Sequence, residues 1–138
     1  MREAAQSLKH EFDLQSKFLL LKTPLGEVTK SVKNIRYFEV KGHNVTAFFD
    51  ETEERVSGTL NEFEKRLKDV GFIRIHKSFL VNFRFIESIG KTTVTLTDGT
   101  ALLLSRNRFE ETKRKLLIFS RNIGADFSEH KVCQVNRL

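Results

Sequence analysis

Apolar and polar residues alternate in short runs along most of the chain, which is the pattern of half-buried β-strands. The clearest turns between runs are Thr23-Pro24-Leu25-Gly26 and Asp98-Gly99, because proline fixes φ and glycine accepts a positive φ. Two further runs meet at Gly42-His43, which we expect near the tip of a hairpin. We predict strands at Lys17–Lys22, Glu27–Val32, Ile35–Val40, Asn44–Asp50, Glu53–Gly58, Phe72–Ile75, Phe79–Val81, Phe85–Ile89, 93–97 and Ala101–Leu104.

One helix is well marked in the sequence. Thr59 and Glu62 have the spacing of a capping box, in which each side chain bonds a free backbone N–H of the first turn. Gly71 stands where a helix ends in a left-handed residue. The pattern predicts a helix over Thr59–Val70, with one apolar face formed by Leu60, Phe63, Leu67 and Val70.

The two ends of the chain have weaker patterns. Residues 3–15 carry apolar side chains at helical spacing, so residues 1–16 are either a linker or an N-terminal helix. Asn107 and Glu110 form a second capping pattern, followed by a possible buried stripe of Phe109, Leu116 and Leu117. No period continues after residue 118, and we expect residues 119–138 to be a weakly structured C-terminal extension.

Composition and charge add a possible partner. A chain of 138 residues, 39% hydrophobic and 30% charged, is typical of one globular domain. Residues 1–70 hold 12 basic and 12 acidic side chains, whereas residues 71–138 hold 12 basic and 6 acidic ones. The net charge of +6 therefore lies in the second half, which suggests a polyanionic partner.

Several classes of protein are disfavoured. The longest apolar runs, such as Phe18–Leu21 and Ala101–Leu104, are too short to cross a bilayer, and the N-terminus lacks the apolar run of a signal peptide. Cys133 is the single cysteine, which excludes an internal disulfide and a thiolate metal cluster. We expect a cytoplasmic protein with no membrane partner.

The sequence gives little support for catalysis. No nucleophile-elbow or glycine-rich phosphate-binding motif is present, and the four histidines are too scattered for a zinc site. His76 and Ser78 would share one face of a strand, but a structural role for them is favoured over a nucleophile–base pair. We therefore expect no catalytic residues, no cofactor and no metal.

Two stretches resemble a known family. Residues 72–82, Phe-Ile-Arg-Ile-His-Lys-Ser-Phe-Leu-Val-Asn, resemble the F-x-R-x-H-x-S-[FY]-x-V-N signature of the LytTR DNA-binding domain family. Asp98-Gly99 followed by Leu104-Ser105-Arg106 resembles its later D-G and S-R segment. The upstream Ile35-Arg36-Tyr37-Phe38-Glu39 resembles its opening strand, and the match covers about residues 17–118.

The resemblance implies a mainly β fold, with small antiparallel sheets layered as an elongated sandwich and one or two short helices. It assigns residues 17–118 to the DNA-binding domain. In the family, loops enter successive major grooves of double-stranded DNA, commonly at promoter direct repeats. The domain usually follows a receiver domain in a bacterial response regulator of a two-component system. The chain would then be an excised output domain or a free-standing protein, with a receiver domain or a second protomer as a possible partner.

The resemblance also carries over candidate DNA contacts. The family's three contact positions fall on His43, Lys77 and Arg106, and Asn107 follows the last of these. Relatives often have an uncharged polar residue at the position of Lys77. The charged lysine favours contact with a phosphate or guanine over an amide-type contact with adenine. Secondary candidates for phosphate contacts are Lys41, Ser78, Arg84 and Arg108.

Other residues of the signature are better explained by structure. Buried polar groups need partners, so we expect His76 to orient a loop by hydrogen bonding, Arg74 to bond within the fold and Asn82 to stabilise the following turn. Two alternatives to sequence-specific DNA binding stay open at this point. The chain could be a non-specific nucleic-acid binder, or a protein-interaction module whose basic edge meets an acidic partner.

Overall fold

The computed structural model describes residues 17–123, which form ten strands and two α-helices. The strands are β1 (Phe18–Thr23), β2 (Gly26–Ser31), β3 (Tyr37–Lys41), β4 (Asn44–Phe48), β5 (Glu53–Val56), β6 (Phe72–His76), β7 (Phe79–Asn82), β8 (Ile86–Ile89), β9 (Thr93–Leu96) and β10 (Ala101–Leu103). The helices are α1 (Leu60–Leu67) and α2 (Phe109–Ile123). Short 3-10 turns occur at Val32–Asn34, Lys68–Val70, Phe83–Phe85 and Arg106–Arg108. The predicted mainly β fold is confirmed.

The central layer is a five-stranded antiparallel sheet in the order β5-β4-β3-β7-β6. In the middle strand, Phe38 pairs with Ala47 of β4 and Leu80 of β7. Neighbouring Tyr37 points to the opposite face, because successive side chains of a strand alternate. Both faces of the sheet are apolar and both are covered.

Each face of the central sheet contributes to its own hydrophobic core. On one face lie the β1–β2 hairpin and α1, where the ring of Phe38 stacks on that of Phe63 with centroids 4.6 Å apart. On the other face lie the three-stranded sheet β10-β9-β8 and α2, with Leu116 buried among them. The result is the layered arrangement of small antiparallel sheets that the family resemblance implies.

The residues that flank α1 have the predicted conformations and hydrogen bonds. The Thr59 hydroxyl accepts from the Glu62 amide at 3.1 Å, and the Glu62 carboxylate accepts from the Thr59 amide at 3.0 Å, which completes the capping box. The 3-10 turn after α1 ends at Gly71, whose φ of 109° lies in the left-handed region. The chain can therefore reverse directly into β6.

The second helix differs from its prediction. It begins at Phe109, and Asn107 lies inside the preceding 3-10 turn, so the predicted cap at Asn107 is wrong. The helix also continues to Ile123, past residue 118. Its buried face includes the polar residues Thr112 and Ser120, which interrupt the apolar periodicity on which the prediction relied. The segments 1–16 and 124–138 lie outside the described residues.

A partly buried ion pair joins two of the layers. Arg36, just before β3, donates to the carboxylate of Asp98 in the β9–β10 turn and to the backbone carbonyl of Phe49 at 3.3 Å. Asp98 also accepts from the Thr100 amide at 3.0 Å. This pair fixes the hairpin that leads into the Arg106 turn against the central sheet.

Candidate nucleic-acid interface

Two of the predicted contact turns lie side by side at one end of the central sheet. The β3–β4 turn carries Lys41 and His43, and the β6–β7 turn carries Lys77 and Ser78. Because β3 and β7 pair antiparallel, β3 ends where β7 begins, and the Val40 amide donates to the Ser78 carbonyl at 3.0 Å. Two strand spacings place the centres of these turns roughly 10 Å apart.

The third predicted turn joins the same end. The Ser105 amide donates to the carbonyl of Ile75, near the end of β6, at 2.9 Å. The 3-10 turn Arg106–Arg108 follows directly and leads into α2. The structure thus brings together seven of the predicted residues, which we call the basic end: Lys41, His43, Lys77, Ser78, Arg106, Asn107 and Arg108.

The side chains of the basic end are available for a ligand. Lys41, His43, Lys77, Arg106 and Asn107 are exposed, and none of their side chains bonds another residue of the range 17–123. Ser78 and Arg108 are half-buried. In an ordinary surface ion pair a nearby carboxylate neutralises the cation. These cations have no such partner among residues 17–123, so this end of the sheet carries positive charge.

Arg74 holds the Lys77 turn in place. Its guanidinium donates to the backbone carbonyls of His76 and Lys77, each at 2.8 Å. On the other side it pairs with Glu64 of α1 at 2.9 Å and bonds Asn61 at the same distance. The prediction that Arg74 bonds within the fold is confirmed, and α1 thereby supports the turn.

His76 fixes the same turn from inside. Its Nδ1 accepts a hydrogen bond from the Ser78 amide at 3.0 Å, so this nitrogen carries no proton. Burial lowers the pKa of His76 below its ordinary value of 6.5, and the charges of Lys77, Arg108 and Arg74 lower it further. The predicted structural role of His76 is therefore confirmed.

Acidification is expected to destabilise the folded domain through His76. Because the folded-state pKa is lowered, the unfolded chain takes up a proton first as the pH falls below 6.5, and stability is lost from there down through the folded-state pKa. Thermal unfolding at several pH values measures this loss. His76→Gln should show a weaker pH dependence over this range, and an unchanged dependence would contradict the assignment.

Arg84 lies at the opposite end of the central sheet from the basic end. It lies two residues after the end of β7, whereas the basic end lies at the start of that strand. Its guanidinium donates to the Val70 carbonyl at 3.1 Å and to Asn82 at 3.2 Å, and burial lowers its pKa. The structure therefore does not bring Arg84 together with the other predicted contact residues.

Asn82 has the predicted role in the turn that carries Arg84. Its side chain is fully buried, and its amide oxygen accepts from the Arg84 backbone N–H at 3.1 Å. Its amide nitrogen also donates to the carbonyls of Val32 and Ile35, at 3.3 and 2.9 Å. Asn82 thus links the segment between β2 and β3 to the segment between β7 and β8.

Sequence reasoning missed one basic residue near this end. Arg55 of β5 is exposed and borders a polar pocket together with His43. The alternation of β5 indicated a strand, but nothing in the sequence placed Arg55 next to the β3–β4 turn.

Within residues 17–123, no cluster of three or more histidine, cysteine or acidic side chains could hold a metal ion. Neither helix in that range is long and apolar enough to cross a membrane.

A model of one protein family matches this chain. It is described as the LytTr DNA-binding domain, and it matches residues 28–117. A solved structure, the LytTr DNA-binding domain of a putative methyl-accepting/DNA response regulator from Bacillus cereus, is also similar. It superposes with a TM-score of 0.61 at 28% identity, covering 72% of this chain and 95% of that one.

Two curated relatives are also similar to this chain. The sensory transduction protein LytT of Enterococcus faecalis is 32% identical over 89 residues, which cover 61% of this chain and 37% of the relative. The protein of the same name from Bacillus subtilis is 37% identical over 82 residues, covering 56% and 34%. The chain therefore matches about a third of the length of these relatives.

Proposed function

This chain belongs to the LytTR DNA-binding domain family, and from that premise we propose that it binds specific sequences of double-stranded DNA as part of a transcription regulator. The turns of the basic end would enter successive major grooves on one face of the duplex. The observation that carries the proposal is the meeting of three sequence-distant turns at one end of the central sheet, with exposed cations that have no ion-pair partner among residues 17–123.

The side chains suit this task in different ways. The fork of Arg106 can donate two hydrogen bonds to O6 and N7 of guanine, and His43 can donate or accept at a base edge. Lys77 would contact a guanine or a phosphate. Lys41, Ser78 and Arg108 border these groups and would bind phosphates, which fix the register of the protein on DNA.

The partners of the whole regulator follow as part of the proposal. The curated relatives are sensory transduction proteins about three times longer than the matched region. We propose that this domain acts in the cytoplasm alongside a receiver domain or a second protomer. Two copies would then occupy direct repeats at a promoter.

Selection of bound duplexes from a random pool, followed by footprinting, tests the proposed function. We expect enrichment of two short motifs about one helical turn, 10–10.5 base pairs, apart. Binding of the selected duplex and of random duplex is then compared at one salt concentration, because affinity for DNA depends strongly on salt. Equal affinity for both duplexes would indicate a non-specific nucleic-acid binder. Loss of all DNA binding at physiological salt would contradict the proposal and favour a protein-interaction module.

A further inference from the structure

A polar pocket of about 340 Å³ lies beside the basic end, on the side away from Arg106. It opens at the outer edge of the central sheet, where β5 is the last strand. The Ser57 amide donates to the Lys22 carbonyl at 2.8 Å, and this bond brings the tip of the β1–β2 hairpin to the same corner. The side chains that define the pocket belong to Thr23, Pro24, His43, Asn44, Arg55 and Ser57.

Arg55 is the fixed cation of this pocket. It pairs with Thr46 across the β4–β5 ladder, and its guanidinium donates to the side-chain oxygen of Asn44. A guanidinium carries five N–H donors, so the bond to Asn44 orients the group and leaves other donors for a ligand. Arg55 is nevertheless exposed, and it forms no ion pair with a carboxylate in the described part of the chain.

The lining of the pocket selects for an anion. It holds an arginine, a histidine and two hydroxyl-bearing side chains, and no acidic residue of the range 17–123 lines it. Such a set does not suit a cation, and its polar character does not suit an apolar ligand. Phosphate-type oxyanions suit it, because arginine binds them through charge-assisted and often bidentate hydrogen bonds.

We propose that this pocket binds a backbone phosphate of the same DNA duplex, next to the base that His43 contacts, with Arg55 as the principal donor. The proposal rests on the proposed function and extends the interface past the β3–β4 turn to the edge of the sheet. Thr23 and Pro24, which form one wall, precede the region matched by the family model, residues 28–117. The contact is therefore built partly from a segment outside that match.

The test measures affinity for the selected duplex, and for random duplex, as a function of salt concentration. Arg55→Gln removes the charge, so it should weaken binding to both duplexes alike, on the order of fivefold at low salt. The slope of log affinity against log salt should become shallower by about 0.9, the value for one released counterion. The matched control is Arg121→Gln, an exposed arginine twelve residues beyond the start of α2 and about 18 Å along its axis. This control should leave both quantities unchanged.

Three results would overturn the inference while the wild-type chain still binds its selected duplex. The first is an unchanged salt slope in Arg55→Gln. The second is a loss confined to the selected sequence, which would make Arg55 a base contact. The third comes from an NMR titration with inorganic phosphate, which measures the shift of the His43 ring signals. If Arg55→Gln abolishes that shift but leaves DNA binding intact, the pocket binds a free anion and not a DNA phosphate. Circular dichroism confirms that the variant is folded. Failure of the wild-type chain to bind any DNA would instead overturn the proposed function.

Discussion

Replacing Arg106 with alanine should weaken binding to the selected duplex by about 5- to 150-fold, equivalent to about 1–3 kcal/mol, and should relax the preference for one base pair. The reason is geometric. Arg106 is exposed in a short 3-10 turn that the Ser105–Ile75 hydrogen bond anchors to the central sheet. Its guanidinium is therefore presented from a turn that is bonded to the central sheet. Binding titrations with the selected duplex and with single-base variants measure both effects.

A control variant distinguishes recognition of a base by Arg106 from general attraction between a positive charge and DNA. Arg121→Ala removes the same charge from the far part of α2 and should leave the base preference intact. Arg106→Ala should retain the wild-type thermal stability, because its side chain bonds no other described residue. If Arg106→Ala weakened binding to every sequence by the same factor, Arg106 would be a phosphate contact, and the base-reading role would be wrong.

Replacing Gly71 with alanine should lower the free energy of unfolding by about 2–5 kcal/mol, the largest stability effect that we predict. Two costs combine at this position. An L-residue is strained at a φ of 109°, and the added Cβ would lie 2.5 Å from Cδ1 of Phe83. That ring is buried and stacked on Phe119 of α2, so it cannot move away freely. Chemical denaturation of the wild type and the variant measures the loss.

Gly99 provides the matched control for Gly71. Its φ of 93° is similarly left-handed, but a Cβ added there would meet nothing within 4 Å. Gly99→Ala should therefore cost only the conformational part, about 1–2 kcal/mol. Equal losses in the two variants would show that the contact with Phe83 contributes nothing.

Local patterns were sufficient to predict most elements of this fold. Alternation and turn residues located the strands, and the spacing of Thr59 and Glu62 located the cap that precedes α1. These signals work because hairpins and helix caps depend on residues close in sequence. The resemblance to the family added the positions of the three turns that we predict to contact DNA.

The features that local patterns did not show depend on contacts between residues distant in sequence. Nothing in the sequence around Arg84 shows that its guanidinium bonds the Val70 carbonyl at the far end of the sheet. The place of Arg55 beside His43 depends on the pairing of β4 with β5 and on the loop that joins them. The length of α2 was underestimated because Ser120 is polar and yet buried, so apolar periodicity stopped too early.

The pairing of the central strand has a consequence for how the chain folds. β3 forms a local hairpin with β4, but its other neighbour is β7, so that Tyr37 lies opposite Val81. The segment between β3 and β7 contains β4, β5, α1 and β6. The ends of this long segment must come together before the central sheet and both cores can form. Domains dominated by such non-local strand pairs fold in milliseconds to seconds, more slowly than helical bundles of similar size. Stopped-flow refolding should place this domain in the slow range, and microsecond refolding would contradict that expectation. The turns that form the basic end would then acquire their arrangement only as the sheet closes.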